Sequence, residues 1–156
     1  MSEFSITCPD FNEGEEIPKK FGYKHGNETP ALTLTPSKEL QAKMKSVAII
    51  MDDPDAMKAV GKVWVHYLRS TEYIQNQEVG TIYYDENEND VMGLNDFGEL
   101  GYGGPAPPDG KHTYVFKAYA LDTVLDLNQG YSKQELENAM KGHILAEAKL
   151  TGTFAP

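Results

Sequence analysis

The feature that most restricts the fold of this chain is a short apolar run that ends in acidic residues. Residues 46–51 read Ser-Val-Ala-Ile-Ile-Met, without alternation of polar and apolar side chains. A strand with one face in water alternates, whereas a strand covered on both faces does not. The run therefore predicts a strand that is covered on both faces, and Asp52, Asp53 and Asp55 follow it directly.

Other strand-like segments are spread along the chain, and their β-branched and aromatic residues are typical of sheets. Helical patterns are few, so alternating βαβ units are not indicated. We predict one domain, residues 1–156, with a mainly β fold: an antiparallel, Greek-key-like β-sandwich with few short helices. The further strands are expected at 33–35, 62–68, 113–121 and 145–154.

A C-terminal helix is the best indicated helix. Ser132 and Glu135 have the spacing of a capping box, and apolar residues up to Ile144 then recur at helical spacing. We predict that this helix covers roughly 132–146. A shorter helix is expected near 37–44.

The charge of the chain excludes some classes of partner. Lys and Arg number 14 against 24 Asp and Glu, which gives a formal net charge of -10. Phosphate backbones and anionic bilayers repel such a chain, so we expect neither nucleic-acid binding nor stable membrane association. A local anion pocket is still compatible with this charge, since backbone N–H groups and histidines can form one.

The single cysteine, Cys8, excludes an intrachain disulfide and a cysteine-based zinc cluster. We expect Cys8 to be a small buried residue near the first strand. No apolar run reaches the roughly 18 residues of a membrane span, and the N-terminus lacks the pattern of a signal peptide. The expected location is cytoplasmic.

Two segments place polar side chains beside predicted strands. In Asp53-Pro54-Asp55 the proline disfavours a helix, and in an extended segment both carboxylates point to one side. On a strand over 62–68, Trp64 and His66 face one side, and Val65 and Tyr67 face the other. Taken singly, the first segment is an ordinary polar turn and His66 is an ordinary half-buried histidine.

A third segment, residues 102–114, is rich in Gly and Pro and ends in His112-Thr113-Tyr114. Its glycines allow a backbone to approach a ligand closely, and its prolines limit the entropy lost on binding. His112 and Tyr114 fall on one face of the next strand, although Pro-Asp-Gly is also ordinary hairpin chemistry. The acidic run at 85–90 is interpreted as a solvated loop rather than a cation site.

Together the three segments supply carboxylates, two histidines, a tyrosine and a Gly/Pro loop, which could form an anion pocket. Their order and spacing resemble the phosphatidylethanolamine-binding protein family, in its bacterial and archaeal Raf-kinase-inhibitor-like branch. The resemblance covers almost the whole chain. Its motifs are Asp53-Pro54-Asp55-Ala56, Trp64-x-His66, Asn95-Asp96-Phe97-Gly98, Gly101-Tyr102-Gly103-Gly104-Pro105, Pro107-Pro108-x-Gly110-x-His112-x-Tyr114, Tyr119-Ala120-Leu121-Asp122, Gly142-His143 and Gly152-Thr153.

This resemblance implies a β-sandwich that binds a small phosphorylated or carboxylated ligand, without catalysis and without a cofactor or metal. A regulatory role is left open. The resemblance also makes a homodimer plausible, and it does not identify a protein partner. The residues it assigns to the ligand pocket are Asp53, Asp55, His66, Gly104, Pro108, His112 and Tyr114.

The chain departs from the family pattern at two positions. Met57 stands where the family commonly has Pro, which suggests a less rigid loop and a more apolar rim. Thr113 stands where the family favours Arg, so a salt bridge made by that arginine is missing. On a strand, Thr113 points away from the His112 face and leaves the pocket itself intact.

Three alternatives to a binding protein stay open at this level. A protein-interaction module, acting as a protease or kinase inhibitor, could dock a partner on the Gly/Pro loop. A hydrolase could use Asp and His for acid–base chemistry, but the sequence shows no activated Ser, Cys or Lys. A metal protein could use His66, His112 and carboxylates as ligands.

Overall fold

The fold is an antiparallel sandwich of a large and a small sheet, as expected. A computed structural model describes residues 3–73, 81–82 and 90–156. Its described residues form the strands β1 (Phe4–Thr7), β2 (Leu32–Pro36), β3 (Ser46–Asp53), β4 (Trp64–Glu72), β5 (Thr81–Ile82), β6 (Val91–Met92), β7 (His112–Leu121) and β8 (Ile144–Phe154) and the helices α1 (Lys38–Gln41), α2 (Ala56–Val60) and α3 (Lys133–Met140).

The large sheet has the strand order β6-β4-β3-β7-β8, and the small sheet has the order β1-β2-β5. All of these pairs are antiparallel. Strands β3, β4 and β6 follow one another across the large sheet, and β7 returns to lie beside β3. This order is that of a Greek key.

The apolar run lies at the centre of the large sheet, and every residue of β3 is buried. Val47, Ile49 and Met51 pack between the two sheets. Ala48 and Ile50 point to the opposite face, where Leu136 and Met140 of α3 and the 125–131 loop cover them. The prediction that both faces of this strand are covered is confirmed, and the two covering layers are the small sheet on one side and α3 on the other.

Helix α3 begins where the capping box predicts and ends earlier than predicted. The Ser132 hydroxyl accepts a hydrogen bond from the Glu135 N–H, and the Glu135 carboxylate accepts one from the Ser132 N–H. The helix ends at Met140, and Gly142 reverses the chain with a φ of 80°. Ile144, placed on the helix by its spacing, instead begins β8 and pairs with Leu121. Pairing with β7, which the local pattern cannot reveal, takes precedence over helical periodicity.

Several smaller expectations are also settled. Cys8 is buried next to β1, and the short helix near 37–44 is α1, capped by the Ser37 hydroxyl. Asp90 does not belong to a solvated loop, because it is buried and pairs with the buried Arg69. The rest of the acidic run, residues 85–89, lies outside the described residues. None of the helices in the described part of the chain has the length and hydropathy of a membrane span.

Candidate functional site

A cavity of about 130 Å³ opens at one end of the inner strands of the large sheet, where β3 ends and β4 and β7 begin. One ordered water needs roughly 10–15 Å³, and drug-sized sites occupy roughly 300–1,000 Å³, so this cavity suits a ligand of a few heavy atoms. Its polar lining residues are Asp53, His66, His112 and Tyr114, and its apolar lining residues are Ala56, Ala59, Val60, Trp64, Phe97, Ala106, Pro107 and Pro108.

His66 enters this cavity from an irregularity in β4. Met51 pairs with Tyr67, but the next residue of β3, Asp52, pairs with Val65, so His66 is an extra residue of a β-bulge. Tyr67 packs between the sheets, whereas Val65 packs under α3. The predicted alternation, with Val65 and Tyr67 on one face, is therefore wrong. A bulge of this kind redirects a side chain, and such bulges are frequent beside functional sites.

The ring of His66 is fixed by the loop that follows β6. The Gly103 N–H donates to the His66 carbonyl at 2.7 Å, and the His66 Nδ1 lies 2.6 Å from the Gly103 carbonyl oxygen. A carbonyl only accepts, so Nδ1 carries the proton. Burial lowers the pKa of His66, although the bond to Gly103 opposes this effect. At neutral pH the ring is uncharged, and Nε2 presents a lone pair.

His112 is held between two carboxylates. Its Nδ1 lies 2.6 Å from Oδ2 of Asp53, and its Nε2 lies 2.6 Å from Oδ1 of Asp109. Burial lowers the pKa of His112, but the hydrogen bonds to Asp53 and Asp109 outweigh burial and raise it overall. The geometry is that of an imidazolium that donates from both nitrogens. His112 is thus the cationic group of the cavity.

Two buried donors in the cavity wall have no hydrogen-bond partner among the described residues: the Trp64 Nε1–H and the Tyr114 hydroxyl. Burial and the nearby charge of Asp53 raise the pKa of Tyr114, so its hydroxyl stays protonated. The Ala106 backbone and the Asp53 carboxylate both lie near this hydroxyl, but neither forms a hydrogen bond of standard geometry with it. Since nearly all buried polar groups in proteins are paired, these two donors are available to a bound water or ligand.

Asp53 and Asp55 occupy different environments. Asp53 is buried, and its Oδ1 also accepts a hydrogen bond from the Ala56 N–H. Asp55 is exposed, has helical backbone angles, and accepts a hydrogen bond from the Thr113 N–H at 2.8 Å. Because the chain turns into α2 at this point, the extended geometry that places both carboxylates on one side does not hold. Asp55 contacts the start of β7 through this hydrogen bond and is not a lining residue of the cavity.

Gly104 shapes the loop without lining the cavity. A Cβ on Gly104 would lie 1.9 Å from the Phe21 carbonyl oxygen, so the two backbone segments could not approach as they do. The Gly104 N–H donates to the Asn27 side chain at 2.7 Å. Of the predicted ligand residues, the structure brings together Asp53, His66, Pro108, His112 and Tyr114 around the cavity. Gly104 and Asp55 support it from outside.

Sequence comparison identifies the family. The phosphatidylethanolamine-binding protein family model matches residues 7–155. A UPF0098 protein of Methanothermobacter thermautotrophicus is 41% identical over 152 residues, covering 92% of this chain and 93% of the relative. The chain belongs to the phosphatidylethanolamine-binding protein family. A UPF0098 protein of Chlamydia muridarum is 37% identical over 153 residues, and the match covers 96% of the present chain and 97% of that relative.

Solved structures share the fold of this family member over nearly its full length. A putative phosphatidylethanolamine-binding protein homologue from Chlamydia trachomatis superposes with a TM-score of 0.82 at 35% identity, covering 97% of both chains. E. coli YbcL, described as a new member of the mammalian family, superposes with a TM-score of 0.81 at 26% identity and covers 98% of both chains. The branch and the sandwich fold implied by the resemblance are confirmed.

The two departures from the family pattern are both visible. Met57 lies in α2 and is 54% exposed, and it does not line the cavity. The apolar rim is formed instead by Ala56, Ala59 and Val60 of the same helix. Thr113 points away from the face shared by the buried His112 and Tyr114, as predicted. Its backbone N–H, rather than an arginine side chain, contacts Asp55.

Sequence reasoning missed three residues that shape the site. The sequence places Trp64 beside His66 without indicating that Trp64 supplies one of the unpaired donors. Phe97 stacks on Tyr23 and contacts both Trp64 and His66 edge-on. The Asp109 carboxylate accepts a hydrogen bond from the His112 Nε2–H. The motifs around these residues were visible, but nothing in one sequence shows which side chains meet.

The same geometry describes the candidate ligands of the metal alternative. Within residues 3–73, 81–82 and 90–156, no group of three or more His, Cys, Asp or Glu side chains is arranged to hold a metal ion. His112 already uses both ring nitrogens on carboxylates, and His66 uses Nδ1 on a carbonyl.

Proposed function

We propose that this protein binds a small anionic ligand in the cavity without converting it chemically. Phosphate, a phosphoryl head group and a carboxylate all have this chemistry. The observation that carries the proposal is the pair of unpartnered donors, the Trp64 Nε1–H and the Tyr114 hydroxyl. Leaving a buried donor unpaired costs about 1–3 kcal/mol, and the oxygen atoms of an oxyanion would pair with both.

The buried charge pair at the base of β7 is compatible with an oxyanion despite the acidic chain. His112 balances the buried Asp53, so this pair presents no net negative charge to the ligand. His66 is neutral and presents a lone pair at Nε2, which a ligand hydroxyl or ammonium proton could occupy. If His66 takes up a proton, the same atom becomes a donor to an anion. Binding of a fully deprotonated ligand is then expected to strengthen as the pH falls.

The proposed test is a titration followed through the histidine rings by NMR. Acetate, phosphate and phosphoethanolamine are added separately at pH 6 and pH 7.5, at low salt. Acetate keeps one charge over this range because carboxyl groups titrate near pH 4. Saturable shifts of His66 and His112, with little change at the exposed His25 and His143, are the expected result. Silent rings at millimolar concentrations of all three ligands would contradict the proposal.

A lack of turnover is part of the proposal. The cavity-lining residues in the described part of the chain include no serine, cysteine or lysine that could act as a nucleophile. His66 could act as a base, so a panel of phosphoesters is the matching experiment. Turnover that disappears in His66→Ala would show an enzyme instead.

A protein-interaction role remains the second candidate. Val60 of α2 lines the cavity and is about half exposed, and the neighbouring Met57 is also about half exposed, so α2 presents apolar side chains beside the cavity. This role would take first place if the anion titration were silent. Inhibition of a protease or kinase, a homodimer and a cytoplasmic location remain predictions from the sequence.

A further inference from the structure

The contact between Asp109 and His112 bears directly on how a ligand reaches the cavity. His112 has two ring nitrogens, and Nδ1 is committed to the buried carboxylate of Asp53. Nε2 is therefore its one remaining donor. In this structure Nε2 is held by the Asp109 carboxylate at 2.6 Å. A carboxylate of the chain itself thus occupies the place where an anionic ligand would meet the cationic ring.

The surroundings of Asp109 allow its carboxylate to leave. The Asp109 side chain is 51% exposed, whereas that of His112 is 5% exposed. Asp109 follows the cavity-lining Pro108 and precedes Gly110, around whose Cβ position there is open space. Among the described residues, His112 is the hydrogen-bond and ion-pair partner of the Asp109 side chain. Rotation into solvent would break this one contact.

We propose that Asp109 is an internal competitor that sets the anion affinity of the cavity. A ligand oxygen and the Asp109 carboxylate cannot both accept the His112 Nε2–H in the same position, and two negative charges at that distance repel. Ligand binding therefore requires Asp109 to move away from His112. This inference rests on the proposed function and adds the residue that discriminates between ligands.

The competitor also affects which ligands are favoured. With Asp109 in place, Asp53, His112 and Asp109 together carry one net negative charge. A ligand that brings a cationic group can keep its anionic oxygen on His112 while the cation contacts the displaced Asp109 carboxylate. A simple anion such as acetate lacks this compensation. Asp109 should therefore weaken acetate binding more than it weakens binding of phosphoethanolamine.

The experiment compares wild type with Asp109→Ala, Asp109→Asn and Asp126→Ala. Asp126 is exposed between Leu125 and Leu127, which belong to the α3 side of the large sheet, so Asp126→Ala removes one charge away from the cavity. Acetate and phosphoethanolamine are titrated against the His66 and His112 rings by NMR. We expect Asp109→Ala to bind acetate about tenfold more tightly than wild type. Asp109→Asn should fall between them, because an amide oxygen still accepts from Nε2–H without charge.

The outcomes separate this inference from the proposed function. Tighter acetate binding by Asp109→Ala, with Asp126→Ala equal to wild type, supports the competitor. Equal or weaker acetate binding by Asp109→Ala, while the wild-type rings still shift on titration, overturns the competitor and leaves the anion site intact. An equal gain in Asp126→Ala would show a general effect of charge and would also overturn it. Silent rings in all four proteins would overturn the anion site and the competitor together.

Discussion

The Nδ1 atom of His112 lies 2.6 Å from Oδ2 of Asp53, and both side chains are buried. The bond joins the last residue of β3 to the first residue of β7, which are neighbours in the large sheet. It orients the ring, and it places a cation beside a carboxylate that would otherwise be buried without compensation. The other polar groups of the cavity are arranged around this pair.

The two cavity histidines should titrate on opposite sides of the ordinary histidine pKa of 6.5. Burial lowers the pKa of His66. Burial also lowers the pKa of His112, but the carboxylates of Asp53 and Asp109 raise it by more. Ring chemical shifts followed between pH 4 and 9 would measure both values. A His112 ring that titrates below His66 would contradict the hydrogen-bond assignment.

Asp53→Asn should destabilise the protein by about 3 kcal/mol, because it removes the buried one of the two carboxylates that hold the His112 imidazolium and leaves only the half-exposed Asp109. The pKa of His112 is raised in the folded state, so this stabilisation is fully present below pH 6.5 and is lost as the pH rises through the folded pKa. Urea unfolding of both proteins across this range would measure the difference.

Asp122→Asn is the matched control for that experiment. His143 and Asp122 form the same pair of residue types at 2.8 Å, but both side chains are nearly half exposed. Exposed pairs contribute little to stability, so we expect a small loss. Comparable losses in the two variants would mean that burial does not govern the Asp53–His112 pair.

Tyr114→Phe and Tyr102→Phe should have opposite consequences. The Tyr102 hydroxyl donates to the Phe21 carbonyl at 2.8 Å, so its removal should cost about 1 kcal/mol of stability. The Tyr114 hydroxyl is also buried and forms no hydrogen bond of standard geometry with the described residues, so its removal should cost no stability. Acetate binding should weaken about tenfold in Tyr114→Phe alone. A stability loss in Tyr114→Phe like that of Tyr102→Phe would reveal a partner within the protein.

Gly104→Ala should be strongly destabilising, by about 3 kcal/mol. The new Cβ would meet the Phe21 carbonyl oxygen at 1.9 Å, and backbone atoms cannot move aside cheaply. Gly110→Ala in the same loop is the control, because nothing lies within 4 Å of its Cβ position. Its stability should stay within about 0.5 kcal/mol of wild type. Thermal or urea unfolding of the two variants gives the comparison.

Residues with strong local preferences were predicted well. The unbroken apolar run of β3 indicates cover on both faces, and the capping box at Ser132 marks the start of α3. Alternation along β7 correctly places His112 and Tyr114 on one buried face with Thr113 outside. In each case the physical determinant is the side chains of the segment itself.

Predictions failed where a partner distant in the sequence decides the structure. The bulge at His66 depends on pairing with β3 and on the loop bond to Gly103. The early end of α3 depends on pairing between Ile144 and Leu121. The position of Asp55 outside the cavity depends on the turn into α2, and its contact with the Thr113 N–H depends on β7. None of these partners is visible from local spacing.

Patterns along the chain were enough to predict the sandwich, its buried central strand, the start of α3 and the residue types of a polar pocket, because apolar patterning and capping act locally. Which of those polar groups meet depends on the packing of distant segments. This packing joined His112 to Asp53 and Asp109, left the Trp64 and Tyr114 donors unpaired, and moved Asp55 outside. The physical reason is that hydrogen bonds and charges act over a few ångströms, and only the folded chain brings residues 53, 66, 109 and 112 within that range.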